Sequence, residues 1–201
     1  MKKLLFFIAP LAIAASLSFT IVDPLTIGSM MPKTDIKMKD VSGKMVSLKD
    51  VVKANGTLVM FSCNTCPYVI KNQDRTVAIS DFAQKMKLGV ILLNSNEAYR
   101  NQDDSYEAMQ AYAKDQKYNW NYVIDKNNEV ADAFGANRTP EVFLFDKEGK
   151  LVYHGAIDDS PSDATATNRQ HLKEAIKELA AGKDITFKET RSVGCSIKRK
   201  K

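Results

Sequence analysis

Residues 57–70 read TLVMFSCNTCPYVI. Leu58, Val59, Met60 and Phe61 run without a charge, as expected of a strand buried on both faces. Two thiols follow with two residues between them, Cys63 and Cys66, and Pro67 comes next. Proline is favoured in the first turn of a helix, where its missing N–H costs nothing. The reading is strand, turn, dithiol, helix start. Unpaired N–H groups and the positive end of the helix dipole favour an anion there. A thiol so placed drops from about 8.5 into a range of roughly 3.5 to 7.5, and the thiolate is the species that attacks a disulfide. Cys63, first in sequence and expected nearer solvent, is the expected nucleophile. Cys66, one turn further in, is the expected resolving thiol.

The rest of the composition fits one domain with extensions. The chain has 201 residues, 44% hydrophobic and 26% charged, enough to build a core. Its formal charge of +5 comes from the two ends. Lys2 and Lys3 belong to a leader; Arg191, Lys198, Arg199, Lys200 and Lys201 belong to a tail. Without them 22 bases face 24 acids, so the body is slightly acidic and no nucleic-acid partner is expected. The tail, residues 191–201, reads as a solvated, frayed terminus.

Residues 1–18, MKKLLFFIAPLAIAASLS, have the charged, apolar and small-residue regions of a secretory signal. Cleavage fits after Ala14 or Ser18. The apolar run continues to Val22, so an uncleaved membrane anchor remains the alternative. An exported, periplasmic chain is the expectation, with membrane contact only if the leader is retained. Export also permits disulfides, although three cysteines do not make a disulfide scaffold.

Outward from the dithiol, residues 36–48 read as a hairpin turning at Gly43, ahead of the main strand. Ile79, Phe82, Ala83 and Met86 carry helical spacing, which predicts one helix from the dithiol to about Met86. Residues 90–93 form a second buried strand, followed by Asn94-Ser95-Asn96. A helix begins near Asp104, with Glu107 as its capping-box partner. Residues 122–124 form a strand, 129–134 a short helix ended by Gly135, and 141–145 and 151–153 a hairpin. Leu172, Ala175, Ile176 and Leu179 stripe a last helix, capped by Thr167 and Gln170. Alternating β and α segments imply an α/β fold, a mixed sheet with helices on its faces.

This order, with C-x-x-C at the first core strand-to-helix junction, resembles the thioredoxin-like fold. It is similar in particular to the redoxins of the alkyl hydroperoxide reductase/thiol-specific antioxidant superfamily. The likeness rests on DVSGKMVSL (40–48), FSCNTCPY (61–68), NSN (94–96), TPEVFLFDKEGK (139–150) and GCSIK (194–198), and spans about residues 28–198. CNTCPY with a terminal GCSIK is like a peroxiredoxin-like subgroup. The domain is drawn at 19–190.

The resemblance implies a catalytic pair, Cys63 and Cys66, and substrate contacts at Thr139 and a cis Pro140. It implies no organic cofactor and no metal. The partners would be protein disulfides or dithiols, with a separate electron donor or acceptor. One departure matters: the peroxidatic motif P-x-x-x-T-x-x-C, counted from Cys63, finds Met60 and Gly56 instead of threonine and proline. Three activities follow as expectations: an exported thiol–disulfide oxidoreductase, a thiol peroxidase acting at Cys63, or a redox-responsive binding domain without catalysis. A zinc site needs four ligands, and Cys195, His154 and His171 offer none at ligand spacing.

Three accessory residues are Arg138, as an anion holder near the thiolate, Pro67, and Cys195. Cys195 is a second resolving thiol, a mixed-disulfide partner, or a packed end residue. His154 and His171 read as surface residues, and Tyr118, Trp120 and Tyr122 as core. The strand below the dithiol offers no buried acid to carry a proton; Glu141 or Glu97 would have to substitute.

Overall fold

The computed structural model describes residues 23–200, so the leader and the choice between signal and anchor lie outside the described residues. Among the described residues, no helix is long and apolar enough to cross a membrane.

Strand β3 (Thr57–Ser62) is buried at every position and lies at the centre of a five-stranded sheet. Its neighbours are β4 (Gly89–Asn94), parallel to it, and β7 (Glu141–Phe145), antiparallel. Outside them lie β5 (Asn121–Ile124), parallel to β4, and β8 (Leu151–Gly155), antiparallel to β7. Side chains alternate across a strand, and β3 follows this. Leu58 and Met60 join one core with Ile79, Ala83, Met109 and Ile176. Val59 and Phe61 join another with Leu48, Phe134, Phe143 and Phe145. Each such side chain contributes roughly 1.5–3 kcal/mol by leaving water. A run that is apolar without interruption therefore marks a strand covered on both sides, as β4 and β7 also are.

The covering helices are α1 (Leu48–Val51), α2 (Pro67–Lys71), α3 (Gln73–Lys85), α4 (Tyr106–Asp115), α5 (Glu129–Phe134) and α6 (His171–Ala180). The hairpin extension is present as β1 (Met38–Lys39) and β2 (Met45–Val46), paired antiparallel. Gly135 ends α5 in the left-handed conformation, with φ 63°. Tyr122 and Trp120 are buried and Tyr118 packs against Trp120, as expected of core.

Three expectations need correction. The single helix to Met86 is two, α2 and α3, broken at Asn72. The Asn72 side chain donates to the Tyr68 and Pro161 carbonyls, both at 2.7 Å. A side chain competing for a helix carbonyl is an ordinary cause of a kink. Helix α4 is capped by Ser105, which accepts the Ala108 N–H at 3.2 Å, and not by Asp104. The last helix starts after Gln170 without a side-chain cap.

The tail is also not frayed. Residues Cys195–Ser196 form β9, paired antiparallel with β6 (Arg138–Thr139). Ile197 is buried in the second core, and Lys198 bonds to Asn96 and to the Ala98 N–H, each at 2.8 Å. Arg199 holds Asp132 and the Ala136 carbonyl. Apolar Ile197 and these bonds fix a segment whose charge pattern alone suggests solvent.

Candidate active site

The dithiol lies where β3 leaves the sheet and α2 begins. Cys66 is the N-cap residue of α2, and Pro67 is its first helical residue. The expectation that Cys63 is nearer solvent is not met: Cys63 is 1% exposed and Cys66 is 5%. The start of the helix therefore lies at Cys66 and not at Cys63. The Cys66 sulfur receives the Val69 N–H from the first turn, together with the Cys195 N–H.

The two sulfurs hydrogen-bond each other, so the pair gives up one proton readily and a second with difficulty. The surroundings favour the charge on Cys66. Its pKa is lowered to about 4, first by the Cys63 thiol and then, against the cost of burial, by the Cys195 thiol and the two N–H groups. Cys63 moves the other way: the bond to ionised Cys66 keeps its proton on, reinforced by burial and by the carboxylate of Asp104. When neutral, Cys66 can instead donate to the Thr139 carbonyl at 3.2 Å. Once ionised it faces that oxygen unfavourably. Cys63 lies 3.5 Å from the Thr139 hydroxyl.

A buried polar network holds the turn between the thiols. Asp104, fully buried, accepts the Asn64 N–H at 2.9 Å, the Asn94 amide at 2.6 Å and the Asn96 amide at 2.9 Å. The Tyr122 hydroxyl donates to the Asn64 side-chain oxygen at 2.9 Å and accepts from the Asn94 amide at 3.0 Å. Arg100 clamps the far side, donating to the Asp104 carbonyl at 2.6 Å and the Asn94 carbonyl at 2.7 Å. The two asparagines of the NSN motif thus satisfy the buried carboxylate beside the dithiol, while Ser95 donates to a second one, Asp125, at 2.8 Å. Asp104 is the acid that sequence reasoning missed. The signal was available in the pair Asp104-Ser105: with serine as the cap, the aspartate is free to turn inward.

The expected substitutes have other work. Glu97 pairs with Arg100 at 3.0 Å. Glu141 is buried and accepts the Asn137 and Arg138 N–H groups at 2.8 and 3.0 Å, which shapes the loop before Pro140. Its other oxygen is 2.8 Å from His154 Nε2. His154 is therefore not a surface residue: it is buried and stacks on Phe143 at 4.4 Å. His171 is half-buried at the start of α6.

The Thr139–Pro140 peptide is cis, as the resemblance implies. Thr139 is buried, however, and its backbone is paired with Cys195 of β9 instead of lining an open groove. Arg138 donates to the Gly194 carbonyl at 3.3 Å, so it is placed on the tail and not on the thiolate. Cys195, half-buried, packs into the cluster of Cys63, Cys66 and Val69. All three cysteines meet at one place.

The AhpC/TSA family model matches residues 27–154, more than half of the chain and all but the last residue of the five-stranded sheet. The chain belongs to the AhpC/TSA family. It adopts the thioredoxin-like fold with a central mixed sheet flanked by helices. Two solved structures resemble this AhpC/TSA chain over nearly its whole described length. An uncharacterized conserved protein from Geobacillus kaustophilus is 33% identical with a TM-score of 0.81, covering 87% of this chain and 93% of its own. A hypothetical protein from Sinorhizobium meliloti is 30% identical with a TM-score of 0.81, covering 89% and 97%. A putative thiol:disulfide interchange protein DsbE from Chlorobium tepidum shares the fold at 16% identity and a TM-score of 0.57, over 79% of this chain and 97% of its own. No curated protein matches the chain.

Proposed function

We propose that this AhpC/TSA chain is an exported thiol–disulfide oxidoreductase whose attacking thiol is Cys66 and whose resolving thiol is Cys63. The observation that carries the reading is the placement of Cys66 as the N-cap of α2, ahead of Pro67 and in one cluster with Cys63 and Cys195; the lowered pKa of Cys66 and the raised pKa of Cys63 agree with it. The order of roles is the reverse of that expected from sequence position.

The cycle needs no cofactor. Cys66 thiolate attacks one sulfur of a partner disulfide, forming a mixed disulfide, and the departing partner thiolate takes a proton from water. Cys63 then attacks the Cys66 sulfur; its proton passes to the second partner thiolate as that group leaves. The partner is reduced by two electrons, and Cys63–Cys66 becomes the disulfide. A partner segment reaches Cys66 by replacing β9 along β6, which is how Thr139 and Pro140 would take part. Reversed, the same steps oxidise a partner dithiol.

A peroxidase reading is less well supported. Counted from Cys66, the P-x-x-x-T-x-x-C positions fall on Cys63 and Val59, so the threonine and proline are again missing. Insulin-disulfide and hydrogen-peroxide turnover by the same preparation separate the two activities. Insulin reduction should be abolished in Cys66→Ser, and a partner adduct should accumulate when Cys63 and Cys195 are both replaced by serine. Full insulin turnover by Cys66→Ser overturns the proposal.

A further inference from the structure

The tail brings a third thiol to the dithiol by several independent contacts. Register places Cys195 directly opposite Thr139, whose carbonyl is the one Cys66 touches. The Cys195 thiol and N–H both reach the Cys66 sulfur. Gly194 makes the approach possible, since a Cβ there would overlap the Thr139 carbonyl group. Beyond it, the Ile197 N–H donates to the Asn137 carbonyl at 3.0 Å. The Lys198 N–H donates to Asn96, which also holds Asp104. The segment is thus built into the site and not draped over it. Cys195 is also the only one of the three thiols that is half-exposed; the other two are buried.

We infer that Cys195 is a third redox thiol, which takes the disulfide from the buried pair and carries it to the surface as Cys66–Cys195. This deepens the proposed function and rests on it for its place in the cycle. The step is an exchange without net electron transfer. Cys195 loses its proton and attacks the Cys66 sulfur of the Cys63–Cys66 disulfide. The Cys66–Cys195 bond forms, the Cys63–Cys66 bond breaks, and Cys63 leaves with the electron pair and takes up a proton. An external dithiol then attacks the half-exposed Cys195 sulfur and restores all three thiols.

The environment favours this order. In the reduced protein Cys195 is held protonated by burial and by the neighbouring Cys66. Oxidation of Cys66 removes that negative charge. The Tyr68 N–H and the Lys198 charge remain, and both favour a Cys195 thiolate. Cys195 is therefore activated only once there is a disulfide for it to attack.

The test is disulfide mapping of the full chain after limited oxidation with oxidised glutathione and quenching with a haloacetamide. Trypsin leaves Cys63 and Cys66 together in peptide 54–71 and Cys195 in peptide 192–198. The inference expects a cross-link between these peptides, assigned to Cys66 by fragmentation. In Cys63→Ser that cross-link should become the main oxidised species. Reduction of the oxidised protein by dithiothreitol should slow by about tenfold in Cys195→Ser, because attack must then fall on a buried sulfur. A Cys195 that stays fully alkylated while Cys63–Cys66 forms, or a cross-link through Cys63 instead, overturns the inference. Loss of insulin turnover in Cys66→Ser is read separately and bears on the proposed function, so the two can fail independently.

Discussion

Replacing Asp104 by asparagine tests how the turn between the thiols is held. The carboxylate accepts three N–H donors, from Asn64, Asn94 and Asn96. Bonds to a charged group are worth roughly 1.5–3 kcal/mol each, against about 1 for neutral ones. An asparagine oxygen can keep the two bonds on the Oδ1 side as neutral bonds. Its amide then faces the Asn96 amide, donor against donor, and a buried unsatisfied group costs about 1–3 kcal/mol. Removing a buried charge recovers part of this. The expected net loss is about 2–4 kcal/mol, or roughly 5–15 °C in Tm for a domain of this size. The same change withdraws a carboxylate that opposes ionisation of Cys63, so alkylation of Cys63 should shift to lower pH. Urea unfolding of the reduced protein gives the first quantity and residue-resolved alkylation against pH the second. A stability within about 0.5 kcal/mol of the parent, the range of an indifferent surface change, would refute the reasoning.

Three further outcomes follow. Cys66 is charged in the folded protein above about 4 and in the unfolded chain only above its ordinary range. Its contribution to stability is therefore present at high pH and is lost as pH falls through about 4. Between about pH 5 and about pH 8 the urea stability of the reduced protein should rise relative to the oxidised one, by at most about 4 kcal/mol. Gly194→Ala drives a Cβ into the Thr139 carbonyl, so β9 should detach and Cys195 alkylation should accelerate, by about tenfold if the closed form loses roughly 1.4 kcal/mol. Glu141→Gln loses the charge that holds the Asn137 and Arg138 N–H groups and the His154 ring. It should lower stability by about 2–3 kcal/mol in thermal unfolding.

Much of this architecture is legible where local pattern and burial agree. The apolar runs of β3 and β7 match the observed strands, and Glu129–Phe134 with Gly135 matches a helix and its cap. What was hidden depends on distant partners. The break at Asn72 involves a carbonyl 89 residues away, on Pro161. His154 looks exposed until Glu141 and Phe143 are placed beside it. The basic tail looks solvated because its charges outnumber Ile197, yet the pairing of β9 with β6 decides its position. The dithiol was legible at once; the order of its two thiols rests on the proposal that Cys66 attacks. Sequence order put Cys63 first, whereas the helix start lies on Cys66 and leaves Cys63 beneath it.

The central claim is that Cys66 carries the reactive thiolate. Residue-resolved alkylation of the fully reduced protein across the acidic and neutral range measures it directly. Cys66 should be the first cysteine modified, with its rate already at plateau near neutral pH, while Cys63 reacts only in alkaline solution. Prior modification of Cys63, with Cys66 protonated through neutral pH, would contradict the account.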